Sequence, residues 1–176
     1  LNWRTSVTWT GLGADNNWNT GANWDAGSPP AALEGARFDG TSSKNCVLNV
    51  NATVSRITFT SGYTGTFNFT DKMLSVNGNA DFRTGGTIIA GTGTLDFGTN
   101  TGPNRNFYPK SGETFPNIRK ASNRAVYIYG APLTAKALTI SAGGWWDWRD
   151  EGYTHSVESI TMTAGGMDFG VGGTKV

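Results

Sequence analysis

The chain has 176 residues, a formal net charge of +1, 25 glycines, 12% aromatic and only 15% charged residues. That length holds one domain with a real core and is too short to expect two. The near-zero charge removes the electrostatic case for nucleic acid or an anionic membrane as partner, and no apolar run approaches the ~20 residues of a membrane-spanning helix.

Gly, Thr, Asn and Ser alternate with Val, Ile, Leu and Phe along most of the length, an all-β composition with many turns. The undiluted aromatics argue against disorder. With neither an initiator Met nor a signal peptide at its start, the sequence is expected to be a mature or excised segment of something longer. Cys46 is the single cysteine, so no internal disulfide forms. Within Cys46-Val47-Leu48-Asn49-Val50 it reads as a small buried hydrophobe.

Taken in chain order, residues 1–40 are dense in Trp, Asn and Gly. Ser28-Pro29-Pro30-Ala31-Ala32-Leu33-Glu34 offers an N-cap, a proline at the first turn and a short helix. From residue 41 onward a short pattern recurs: an alternating strand, a Gly or Asn corner, a second short strand. It runs through Ile57-Thr58-Phe59, Gly65-Thr66-Phe67-Asn68-Phe69, Leu74-Ser75-Val76 and Gly93-Thr94-Leu95-Asp96-Phe97. Ala137-Leu138-Thr139-Ile140-Ser141-Ala142-Gly143-Gly144 aligns with Ser159-Ile160-Thr161-Met162-Thr163-Ala164-Gly165-Gly166 at an offset of 22 residues. A period of that size, made of short strands and Gly or Asn corners, is a solenoid signature, because no single rung can bury its own apolar face.

The predicted fold is therefore all-β: a right-handed parallel β-helix spanning 1–176 as one domain, with a Trp-rich N-terminal cap and a short capping helix. A β-sandwich is the alternative, since alternating strands with frequent turns also fit it. The inward set is Leu48, Val50, Ile57, Phe59, Phe67, Phe69, Leu74, Val76, Phe82, Leu95, Phe97, Val126, Ile128, Leu138, Ile140, Ile160, Met162 and Phe169. Trp9, Trp18 and Trp24 are expected to cover the solenoid's first rung rather than to bind sugar, because an open end exposes strand edges and apolar side chains. Residues 99–117 contain Pro103, Pro109 and Pro116 with almost no aliphatics and read as a long loop. Its Phe107-Tyr108 pair, between Arg105 and Lys110, either closes over a ligand or tucks the loop onto the helix.

The candidate site is the run Gly144-Trp145-Trp146-Asp147-Trp148-Arg149-Asp150-Glu151-Gly152-Tyr153, with three of the seven tryptophans in four residues. Alternation puts Trp146 and Trp148 on one face and Trp145 and Asp147 on the other. Trp146 and Trp148 are expected to form an exposed platform for pyranose rings, with Trp145 supporting them or taking the opposite face. Asp147, Arg149 and Asp150 would read hydroxyls through charge-assisted bonds, and Tyr127, Tyr129 and Tyr153 would lengthen the groove. The competing reading makes these indoles core and C-terminal cap.

Catalysis is weakly supported. Asp147, Asp150 and Glu151 lie in one short stretch, which seldom gives the facing geometry of a glycosidase pair. His155 is the only histidine, which leaves little room for a nucleophilic triad or a His/Cys metal site; it reads as a surface residue. No nucleotide-binding motif is present. No cofactor is expected, and a structural Ca²⁺ at a corner has no sequence support.

The opening Thr8-Trp9-Thr10-Gly11-Leu12-Gly13, Asn17-Trp18-Asn19-Thr20-Gly21-Ala22-Asn23-Trp24 and Ala36-Arg37-Phe38-Asp39-Gly40 resembles that of bacterial extracellular β-helical repeat proteins, including the autotransporter-associated β-strand repeats. The resemblance covers about the first quarter of the chain and implies the fold and secretion. As an isolated β-helical domain with a Trp-rich patch, the chain is also similar to the parallel β-helix carbohydrate-binding modules of carbohydrate-binding module family 89. That similarity implies xylan binding and fusion to a glycoside hydrolase; it carries over no individual residue. The expected function is a secreted, non-catalytic, monomeric carbohydrate-binding module for a plant cell-wall β-glycan, xylan above all. The alternatives are a structural or adhesin segment without a sugar ligand, and a β-helical polysaccharide lyase or hydrolase.

Overall fold

The computed structural model describes residues 5–98, 103–149 and 152–169. A first strand, β1 (Ser6–Thr8), leads into turns of a coil. The first is β2 (Gly35–Phe38), β3 (Cys46–Val47) and β4 (Ala52–Val54); the second is β5 (Arg56–Phe59), β6 (Thr66–Asn68) and β7 (Met73–Val76); the third is β8 (Ala80–Asp81), β9 (Thr87–Ile89) and β10 (Thr94–Asp96). Three two-stranded turns follow: β11 (Arg105–Tyr108) with β12 (Thr114–Lys120), β13 (Val126–Ile128) with β14 (Thr134–Ile140), and β15 (Trp145–Trp148) with β16 (Ser156–Met162). The last described strand is β17 (Gly166–Asp168).

Strands from successive turns pair in parallel. They make an eight-stranded sheet β1-β2-β5-β8-β11-β13-β15-β17, a six-stranded sheet β4-β7-β10-β12-β14-β16, and a three-stranded sheet β3-β6-β9. The protein is a parallel β-solenoid of about six turns, not a sandwich. The 22-residue offset becomes a physical pairing, Leu138 with Ile160 and Ile140 with Met162.

Because each turn repeats the one before, side chains of one kind stack above each other. Phe38 and Phe59 lie parallel at 4.6 Å, and Phe82 continues the column 5.0 Å beyond Phe59. Most of the predicted inward residues are buried; Val50 is half-buried at the edge of the core. Ile160, Met162 and Phe169 are 50%, 36% and 39% exposed, because they belong to the last described turns and no further described rung stacks on them. Cys46 is fully buried, and burial pushes its thiol pKa up.

The first turn is closed as expected. Trp9, Trp18 and Trp24 are buried, with edge-to-face contacts of 5.2 Å (Trp9–Trp24) and 4.7 Å (Trp18–Trp24). Each outer indole N–H is used: Trp9 Nε1 donates to Lys44 O at 3.0 Å and Trp24 Nε1 to Trp18 O at 2.7 Å. The predicted helix over residues 28–34 is absent; among the described residues the sole helical turn is a 3-10 turn at Gly21–Asn23. Glu34 instead closes a tight turn, its side chain accepting from Ala31 N and its N–H donating to Ala31 O, both at 2.9 Å. Its carbonyl already accepts from Ser55 N, so the chain must be in the sheet by that point and no second helical turn fits.

Residues 99–117 are also corrected. Residues 99–102 lie outside the described residues, but β11 and β12 occupy 105–108 and 114–120, so the stretch is not a long loop. Pro109 follows directly after β11, while Pro116 sits in β12 at the position skipped by the register between Phe115 and Asn117. The third sheet ends at β9 because this turn supplies a corner in place of a strand. Glu113 Oε2 accepts from Ile88 N at 3.2 Å, and Lys110 Nζ donates to Gly86 O.

Two cations point inward on the fourth turn. Arg105 is fully buried and donates to Asn77 O and Ser122 Oγ. Lys120 is fully buried and donates to Ser122 O, Ala142 O and Gly143 O. Both satisfy corner carbonyls that turn into the core, where an unpaired carbonyl would carry the desolvation penalty. Burial, then the neighbouring Arg105, pulls the Lys120 pKa down to about 8. Between about pH 8 and pH 10 the unfolded chain keeps this proton while the folded chain has released it, so stability rises with pH across that window and is level below it. We expect urea midpoints measured from pH 7 to pH 10 to show this rise in the parent relative to Lys120→Met.

Gly91 shows how closely the corners stack. It has φ +58°, and a Cβ there would stand 1.9 Å from Thr70 O of the previous turn. Gly91→Ala is expected to lower the unfolding free energy by about 2 to 3 kcal/mol, read as a lower urea midpoint at unchanged slope.

Candidate functional site

The register of the eight-stranded sheet sorts the tryptophan cluster. Val126 pairs with Trp146 and Ile128 with Trp148, so both indoles fall in line with inward aliphatics. Trp146 is 0% and Trp148 3% exposed. The expected Trp146/Trp148 platform does not exist: these side chains are core. Trp145, between them and the corner, is 46% exposed.

Trp145 lies over a gap made for it. It pairs with Gly166, and a Cβ on that glycine would collide with the indole at 2.5 Å. On the preceding turn, the small Ala125 comes one residue before Val126, the partner of Trp146. The ring therefore lies across its neighbouring strand, with nearly half its surface in water.

The rest of the outward surface is built in rows that cross the strands. One row carries Asn106, Tyr127, Asp147 and Asp168 on β11, β13, β15 and β17. The next carries Asp81 and Tyr108, then Tyr129 and Arg149. Arg149 Nε donates to Asp147 Oδ2 at 2.9 Å, and its guanidinium lies 4.5 Å from the centre of the Tyr127 ring. The Asp147 bond, above all, raises the Arg149 pKa. Tyr127 Oη accepts from Asn104 Nδ2 at 2.9 Å.

Arg83, Asp81 and Tyr108 repeat this arrangement further along the face. Arg83 donates to both oxygens of Asp81 at 3.0 and 2.7 Å and stands 4.1 Å over Tyr108. Tyr108 stacks on Tyr129 at 5.7 Å and 27°. Thus Tyr108 has Arg83 on one side and Tyr129 on the other, and Asn106 Nδ2 reaches its hydroxyl at 3.1 Å.

Of the predicted site residues, the structure brings Trp145, Arg149, Tyr127 and Tyr129 onto one face, together with Asp147, which is only 8% exposed and already bonded to Arg149. Trp146 and Trp148 leave it for the core. Asp150, with Glu151, lies outside the described residues. Tyr153 sits past the end of β15, on the corner before β16, where it lines a cavity of about 490 Å³ with Trp148, His155, Val157, Ile160 and Phe169. His155, expected as a surface residue between rungs, is half-buried and bridges two turns. It packs 4.1 Å from the Trp148 ring, and its Nδ1 accepts from Leu133 N at 3.0 Å.

Sequence reasoning missed Arg83, Asp81, Asn104 and Asn106, and left Tyr108 undecided. A signal existed: Asp-x-Arg occurs at 81–83 and 147–149, the same spacing that forms both ion pairs. Phe107 is core and Tyr108 is surface, which settles the pair left open above. Among the described residues no three His, Cys, Asp or Glu side chains group as metal ligands. Comparison of this chain with protein-family profiles, with curated proteins and with solved structures finds no match.

Proposed function

We propose that this chain is a non-catalytic carbohydrate-binding domain for a plant cell-wall β-glycan, xylan above all, acting through the outward face of the eight-stranded sheet. The observation that carries the reading is Trp145: a half-exposed indole laid across Gly166, on the same outward face as the Asp147–Arg149 pair and Tyr127. Stacked on that ring, a pyranose would bury its apolar C–H face, while the carboxylate, guanidinium and phenol reach its hydroxyls. The domain would be secreted by a bacterium and tethered to a glycoside hydrolase, raising the local substrate concentration for that enzyme. The resemblance to the β-helical carbohydrate-binding modules agrees with this role.

A second reading is a structural β-helix with no sugar ligand. It is favoured by Tyr108, whose two sides are taken by Arg83 and Tyr129, as in a ladder that stabilises the coil. Retention on insoluble xylan, cellulose and mannan, with release of reducing ends assayed in parallel, separates the two. Binding without product is expected. No retention on any of the three would leave the structural reading, and product release would point to an enzyme.

A further inference from the structure

Granting the glycan-binding reading above, we infer that the face takes an internal stretch of a neutral, extended β-1,4-linked glycan, laid parallel to the solenoid axis with about one sugar to each turn. Two directions are open to a chain on a sheet. Along a strand, outward side chains are two residues apart, about 6.7 Å, and β15 offers only Trp145 and Asp147, with Arg149 just beyond, between the corner glycines Gly144 and Gly152. Across the strands the step is about 4.8 Å, close to the advance of one pyranose along an extended β-1,4 chain.

Only the second direction repeats the binding chemistry at each step. Asn106, Tyr127, Asp147 and Asp168 place an amide, a phenol and two carboxylates on successive strands of one row. The indole of Trp145 supplies the stacking surface at one of those steps. From β8 to β17 the face crosses five strands, about 19 Å from first to last, which suits four or five sugars.

Two further features set the class of chain. In the direction of β8, the row runs on to Arg56 and Gly35 on the same sheet, and in the other it reaches β17 at the sheet edge. A chain end needs an enclosing pocket, and the cavity at the β15–β16 corner is lined largely by apolar and aromatic side chains away from these rows. From β8 to β17 the guanidiniums on these rows, Arg83 and Arg149, are each already bonded to an aspartate. Neither is left to take the carboxylates of a polyuronate, so the glycan is uncharged.

Calorimetric titration with xylo-oligosaccharides and cello-oligosaccharides of two to six sugars tests this. In the better-bound series, affinity is expected to rise about fivefold for each added sugar up to four or five, the worth of one net hydrogen bond, and then to level off. Borohydride reduction of the hexamer should change nothing, polygalacturonate should not compete, and Asn106→Ala should weaken the hexamer several-fold while leaving the dimer unaffected. An affinity that is flat from the dimer onward, or lost on reducing the end, overturns the axial, internal placement while glycan binding stands. Absence of binding to every oligomer and to the insoluble polysaccharides overturns both.

Discussion

Trp145→Ala is expected to weaken retention on insoluble xylan by about thirtyfold, the roughly 2 kcal/mol of a binding hot spot. The melting temperature should hardly move. The indole is 46% exposed and rests on Gly166, so its loss removes much less buried surface than the loss of a core tryptophan. Surface changes of this kind alter stability by less than about 1 kcal/mol. Depletion isotherms on the polysaccharide, with a thermal melt of the same sample, read both quantities. A variant that binds as the parent does would place the site elsewhere on the coil.

Trp146→Ala, one residue along, is expected to do the opposite. Its side chain is fully buried, 6.4 Å from Phe97 and 5.7 Å from Trp148. Truncation there removes one of the largest core side chains and costs about 3 to 5 kcal/mol. Because each turn of a solenoid is held by its neighbours, the damage should be felt first in β15 to β17. Hydrogen exchange in that region should quicken before global unfolding. Trp146→Phe is expected to recover most of the loss: the indole Nε1 has no acceptor among the described residues, so removing it leaves no partner unsatisfied. Equal tolerance of alanine at 145 and 146 would contradict the register of β15.

The fold was legible because its signals are local and repeated. The match between residues 137–144 and 159–166 appears as the β14–β16 pairing, and the tryptophans at 9, 18 and 24 lie where an open first turn needs cover. The turn from Arg105 to Lys120 was hidden by prolines and cations that usually mark a loop. Pro116 escapes the strand rule because the ladder skips its position, and Arg105 and Lys120 face inward because corner carbonyls need donors. Neither reason can be seen before the turns are stacked.

At the site, alternation told that Trp145 and Asp147 share one face and Trp146 and Trp148 the other, but not which face is core. A strand's side chains repeat every two residues, so a shift of one exchanges the two faces entirely. The amino-acid order alone therefore determined the repeat, the corners and the pairing of like with like, since these depend on residues close in the chain. Tertiary stacking decided the phase: Val126 and Ile128 on the preceding strand drew Trp146 and Trp148 inward and left Trp145 on the outward face, half in water.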